Sequence, residues 1–209
     1  MKGASCVLIS LLVSNLCCLV MTGAYAQAPA TPSTVTSDEM VVYAAVLHSL
    51  EKLGESSHFL IAESTSTFAC NESTCNGFAM GGCNGLRTAN ETPSARLTIV
   101  KRDLQELQGD TAASFEERNR VCASIRGAIP TEADYRYLSD PGIPPEWKDK
   151  YLVYFSRVGF NPDQTQALVD ISLVSWTDGT KSGGMYIVLN KVGGKWVPAG
   201  SSAVWRLMQ

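Results

Sequence analysis

The residues of this chain with chemistry to offer are few and scattered. Only two histidines occur, His48 and His58, and no His-x-x-x-His or His-Glu-x-x-His spacing joins them, so a zinc hydrolase is not supported. No Gly-x-Ser-x-Gly elbow, Walker loop or dinucleotide fingerprint is present. Gly77-Phe78-Ala79-Met80-Gly81-Gly82 is glycine-rich but does not link a strand to a helix in the way a phosphate cradle requires. Carboxylates are more plentiful. Glu63 stands at the end of an apolar run, and Asp134, Asp140 and Asp170 are candidates for a polar cleft; two such groups can divide acid and base work on a sugar. Arg157 follows an apolar strand, where a guanidinium can fork onto a ligand carboxylate or tie down an acid of the fold itself. Of the four tryptophans, Trp196 and Trp205 belong to strand patterns and are expected in the core. Trp176 adjoins a glycine-rich connection and is the best candidate for a contact with a partner.

Cysteine placement separates leader from body. Lys2, the apolar stretch 7–22 and the Ala24-Tyr25-Ala26 step have the form of a secretory signal peptide over 1–26, leaving Gln27 as the new N-terminus. The stretch is shorter than a bilayer span and is broken by Ser14, Asn15 and Thr22. Cys6, Cys17 and Cys18 leave with it. Cys70, Cys75, Cys83 and Cys122 remain, and an even number in an oxidising compartment predicts two disulfides, with three pairings open. The Cys70–Cys75–Cys83 spacing departs from the paired spacing of structural zinc sites, so no metal is expected, nor any other cofactor. Losing Lys2 takes the formal charge from −3 to −4, which does not point to nucleic acid or an anionic membrane as partner. No later segment approaches transmembrane length.

The elements that must position these groups can be read in order. Residues 27–36 are a Pro/Ser/Thr/Ala tether. Thr36 and Glu39 form a capping box, followed by Met40, Tyr43, Ala44, Leu47 and Leu50 as one helical stripe. His58–Ala62 predicts a strand. Residues 63–93, rich in Ser, Thr, Asn and Gly and holding three of the four late cysteines, predict a stapled loop insertion. Leu97, Val100, Leu104 and Leu107 predict a helix ended by Gly109. Ser114 is expected to cap another, carrying Phe115, Asn119, Cys122 and Ile125 to Gly127. The last third is β: Tyr151–Val158, a turn at Asn161-Pro162-Asp163, the alternating Gln166–Val174, Met185–Asn190 with a Gly193-Gly194 hairpin to Lys195–Val197, and Ala203–Met208. Helices first and sequential strands last predict an α+β domain over 37–209, with N-terminal helices packed on one face of a C-terminal antiparallel β-meander.

The segments Phe155-Ser156-Arg157-Val158-Gly159-Phe160-Asn161, Gln166-Ala167-Leu168-Val169, Tyr186-Ile187-Val188-Leu189, Gly194-Lys195-Trp196 and Trp205 resemble a group of uncharacterised exported bacterial proteins that share this C-terminal core. Glu63-Ser64-Thr65 and Phe115-Glu116-Glu117-Arg118-Asn119 match pieces of that group's upstream half. The resemblance covers most of 37–209 and is strong over 152–205. It departs at Trp176–Gly184, where the group often carries a Cys pair, whereas this chain holds its cysteines in the 63–93 loop. It implies a fold and a compartment, not an activity. The expectation is therefore an exported, non-catalytic binding domain of the periplasm or cell exterior. It would contact a protein or envelope component through 63–93 and 175–184. A carboxylate-based hydrolase and an inhibitor-like domain presenting a stapled loop are the alternatives.

Overall fold

Thr36 opens the first helix as its capping box predicts. Its backbone N–H donates to Glu39 Oε2 at 2.9 Å, and the Glu39 N–H returns to Thr36 Oγ1 at 3.4 Å. In a computed structural model, residues 33–52, 58–65, 102–121, 123–129, 135–143, 147, 151–175 and 182–207 are described. The elements are β1 (Ser33–Thr34), α1 (Ser37–Lys52), β2 (Phe59–Ile61), α2 (Gly109–Arg118), β3 (Ala123–Ser124), β4 (Tyr135–Tyr137), β5 (Tyr151–Phe155), β6 (Gly159–Phe160), β7 (Gln166–Ser175), β8 (Ser182–Val192) and β9 (Lys195–Leu207). The leader, the tether to residue 32, Cys70, Cys75, Cys83, Cys122, Asp134 and Trp176 lie outside the described residues.

The main sheet runs β4-β2-β5-β7-β8-β9, with β6 also on β7. From β5 onward it is the expected antiparallel meander. β2 joins it in parallel to β5 and also pairs in parallel with β4, so the sheet is mixed and mostly antiparallel. The Phe59-Leu60-Ile61 run explains β2's interior place: all three residues are buried, so the strand is covered on both faces.

Both faces of the sheet are apolar. On one, Val42, Tyr43, Val46, Leu47 and Leu50 of α1 share a core with Phe59, Ile61, Val153, Phe155, Val169, Ile171, Ile187 and Leu189. On the other, Phe115 of α2 and Leu104 pack on Leu168, Tyr186 and Val188. Trp147 covers Leu60, Leu152 and Tyr154 there as well. The helices thus do not share a face, because β7 and β8 alternate apolar side chains to both sides. Phe115 meets Tyr186 edge-on at 5.6 Å between ring centres.

Helix α2 begins and ends earlier than its sequence pattern suggests. Gly109 starts it rather than closing the preceding segment, and Asn119 ends it. The Asn119 amide donates to the Phe115 carbonyl and to the Arg157 carbonyl, taking the chain out of the helix and toward β3. Ser114 sits inside the helix, where its Oγ accepts the Phe160 N–H at 3.2 Å.

Two strand irregularities matter. In β9, Val204 and Ala199 are extra residues against β8, so one strand runs through Pro198–Ser202, where the sequence pattern suggests a break. Pro198 and these bulges lie on the outermost strand of the path, where a missing donor is tolerated and pairing with another chain is discouraged. Between β5 and β6, Phe155 faces Ile171 while Gly159 faces Leu168, so Ser156, Arg157 and Val158 stand opposite only two residues. The parity of the strand flips there: Val153 and Phe155 face α1 before the bulge, and Val158 and Phe160 join that same core after it.

Candidate functional site: the Glu39–Arg157 centre

The bulge sets the candidate site. Ser156 Oγ accepts the Asp170 N–H at 2.8 Å and donates to the Arg157 carbonyl at 3.0 Å. Asn119 Oδ1 takes the Arg157 N–H at 2.7 Å. Both backbone polar groups of Arg157 are therefore engaged by side chains, and its own side chain is aimed at the first turn of α1. Tyr43, one turn on from Glu39, donates its hydroxyl to the Ser156 carbonyl at 2.9 Å.

At the centre Glu39 has no exposed surface. Its Oε1 accepts from Arg157 Nε at 2.9 Å and from the Val158 N–H at 3.1 Å. Its Oε2 accepts from Arg157 Nη2 at 3.0 Å, Arg118 Nη2 at 2.7 Å, and the Thr36 N–H. Arg157 is thus bidentate on Glu39, the strongest geometry available to that pair. Arg157 Nη1 also donates to Ser33 Oγ at 3.3 Å, which ties β1 to the same group. Burial pushes the Glu39 carboxyl up. The hydrogen bond from Arg157, the Thr36 N–H and the charges of Arg118 and Arg157 outweigh it and hold the carboxyl below its ordinary range. The same bond to Glu39 raises Arg157 against the opposing effect of burial. Tyr43 is driven well above the usual phenol range, first by burial and then by the Glu39 charge.

A carboxylate so held is a poor proton carrier at neutral pH and a good fixed anion. Its chemistry is to orient two guanidiniums. The fork of Arg157, which the sequence offers to a ligand carboxylate or to an acid of the fold, is taken up by Glu39 from 118 residues away. Asn119 is needed for this arrangement. Replacing it with leucine strands the Arg157 N–H in a buried place, leaves the Arg157 carbonyl with Ser156 Oγ as its remaining side-chain donor, and is expected to lower stability by about 1–3 kcal/mol. A denaturant midpoint at unchanged slope checks this.

The other candidate residues fall elsewhere. Glu63 Oε1 accepts the Ser139 N–H at 2.7 Å and lies 3.6 Å from Arg126. Asp140 lies 3.6 Å from the other end of that guanidinium, and its Oδ2 accepts the Tyr137 N–H at 2.9 Å. Two of the flagged acids are thus brought together, around Arg126 rather than Arg157. Asp170 is half-buried on β7 opposite Tyr186, on the face away from α1. His58 stacks on Trp147 at 4.8 Å, and Arg136 lies over the same indole. His48 is on the exposed side of α1, 3.5 Å from Glu51. Trp196 is buried against Phe160.

Sequence reasoning assigns Glu39 only its capping role and gives Arg118 and Asn119 none. A signal was available for Asn119, a polar residue on the stripe shared by Phe115 and Ile125, since an amide on an apolar face must find buried partners. Nothing local marks Arg118.

The fold and this centre define an α+β protein on a mixed sheet, with a buried carboxylate clamped by two arginines. No protein-family model, curated protein or solved structure matches the chain. Among the described residues no group of three His, Cys, Asp or Glu side chains is gathered to hold a metal ion, and no helix is long and apolar enough to cross a membrane.

Proposed function

We propose that this chain is an exported binding domain of the periplasm or cell exterior, and that its partner is a protein or an envelope component. The observation that supports this most is the way the chain is clamped on either side of its cysteine-bearing stretches. The Thr65 N–H donates to the Ala123 carbonyl at 2.8 Å, and the Ala123 N–H returns to Thr65 Oγ1 at 2.8 Å. The Ile125 N–H donates to the Glu63 carbonyl at 2.8 Å, and the Val35 N–H to the Ser124 carbonyl at 3.2 Å. Thr65 stands at the root of the 63–93 loop, and Ala123 is the residue after Cys122. A recognition loop on a rigid base is the usual division of labour in binding domains. Two disulfides among Cys70, Cys75, Cys83 and Cys122 add to that rigidity. Glu63 and Trp176 remain the residues offered for contact, whereas Arg157 is withdrawn from that role because its guanidinium is buried on Glu39.

Deleting 70–83 is expected to leave the fold intact and abolish recovery of the partner that the full-length protein captures from the source cell's envelope. Undiminished capture by the deleted form overturns the role of the loop. Protein recovered from the exported fraction is expected to begin at Gln27 and to show no free thiol until reduced, then four. Four reactive thiols in the native protein refute the two bridges.

A further inference from the structure

Glu39 and its two arginines do not balance. One carboxylate serves two guanidiniums, and no other acid is salt-bridged to Arg118 or Arg157 among the described residues. The helix termini do not correct this. Arg118 closes α2, whose C-terminal dipole favours a cation, while Glu39 opens α1, whose N-terminal dipole adds positive potential. The centre therefore holds about one surplus positive charge, and that charge lies toward Arg118, the more exposed of the two guanidiniums.

The two arginines differ in what they have left. The Arg157 side chain is only 10 % exposed and is spent on Glu39 and Ser33. The Arg118 side chain is 26 % exposed. Its Nη2 is held by Glu39, while Nε and Nη1 make no hydrogen bond within the structure described. Its guanidinium is steadied over the Phe160 ring at 5.6 Å. One donor edge is thus immobilised and still open to a second acceptor.

We propose that Arg118 is a docking point for the carboxylate of a ligand. A surplus of a single unit matches a carboxylate monoanion, and a fixed guanidinium edge matches its two oxygens. A phosphate dianion would overshoot the charge. Arg118 is not among the residues offered above for partner capture, so the two readings fail independently.

The side-chain Nε–Hε resonances of the full-length protein decide the matter. Titration is made with acetate, then with a capped tripeptide amide carrying one aspartate, against chloride at equal ionic strength. Arg118 Hε is expected to shift saturably with a dissociation constant on the order of millimolar, and the Trp196 indole, 5.7 Å from Phe160, is expected to follow. Saturation by acetate alone identifies a small organic acid as the source, and tighter binding of the aspartyl peptide identifies a protein carboxylate. Arg118→Lys keeps a cation beside Glu39 and is expected to weaken binding about tenfold, since an ammonium lacks the fork. Arg102→Lys, on an exposed residue paired with Asp103, is expected to change nothing. An equal shift with chloride, no saturation in the wild type, or undiminished binding in Arg118→Lys overturns the proposal. The wild-type titration alone suffices if the variant fails to fold.

Discussion

Glu39→Ala is expected to lower the unfolding free energy by about 3–5 kcal/mol, the range for removing one partner of a buried ion pair. The reason is what remains rather than what is lost. The buried Arg157 and the half-buried Arg118 would lose their counter-ion, and the N–H groups of Val158 and Thr36 would lose their acceptor. Loss of the capping box adds about 1 kcal/mol to the same variant. Urea unfolding of wild type and variant at neutral pH measures the difference, and a gap below about 1 kcal/mol would show the pair to be solvated and weak, as surface pairs are. Acid supplies a second test. The folded carboxyl is held below its ordinary range, whereas the unfolded one titrates normally. The folded state therefore binds fewer protons, and the stability that Glu39 contributes is present in full above the ordinary carboxylate range. It is lost as the pH falls from there through the depressed folded value. The gap between wild type and Glu39→Gln should accordingly close toward low pH; a gap that widens in acid contradicts the assignment.

Gly159→Val is expected to cost about 3 kcal/mol or more, the upper range for forcing volume into a packed interior. Gly159 has no unusual backbone conformation, and its requirement is for space. A Cβ built on it would stand 2.5 Å from the Phe115 backbone N, Cα and Cβ. Those atoms belong to α2, so no side-chain rotation relieves the clash, and the helix must lift from β6. Lifting it would draw Phe115 off Leu168, Tyr186 and Val188 and disturb Arg118 and Asn119 at its end. Thermal unfolding of Gly159→Ala and Gly159→Val should show a graded loss, with changes in near-ultraviolet circular dichroism from the Phe115–Tyr186 contact. Gly109→Ala is the control. Nothing lies within 4 Å of that position, and alanine suits the start of a helix, so no loss is expected. If both glycines respond alike, the close approach of α2 to β6 is wrong.

How much of this was legible beforehand varies by residue. The Thr36–Glu39 box, the Asn161 turn and the Gly193-Gly194 hairpin were. The turn closes as its residues predict, with Asn161 Oδ1 accepting the Thr165 and Gln166 N–H groups, and both hairpin glycines take positive φ. The alternation in β7 correctly sends Ala167, Val169, Ile171 and Leu173 to one core. The same strand's Leu168 carries the second core, a single apolar residue too slight to announce a helix on the other side. The end of α2 departs from the sequence pattern for a related reason. The stripe running through Asn119 to Ile125 has helical spacing, but Asn119 turns its amide to Arg157 and Ile125 enters a β arrangement beside Glu63.

By itself, the sequence determined what neighbours in the chain decide: caps, turns, the hairpin and the side from which each β7 residue faces its core. These rest on groups within a few residues of one another, whose geometry backbone conformation dictates. Only the tertiary structure decided that β2 would enter the sheet in parallel, that the helices would take opposite faces, and that a one-residue bulge would aim Arg157 at Glu39. Glu39, Arg118 and Arg157 stand far apart in the chain, and their meeting depends on which strands pair and in what register. A hydrogen bond to a carboxylate has no sequence period, so the pattern of residues carries no trace of it until the sheet has formed.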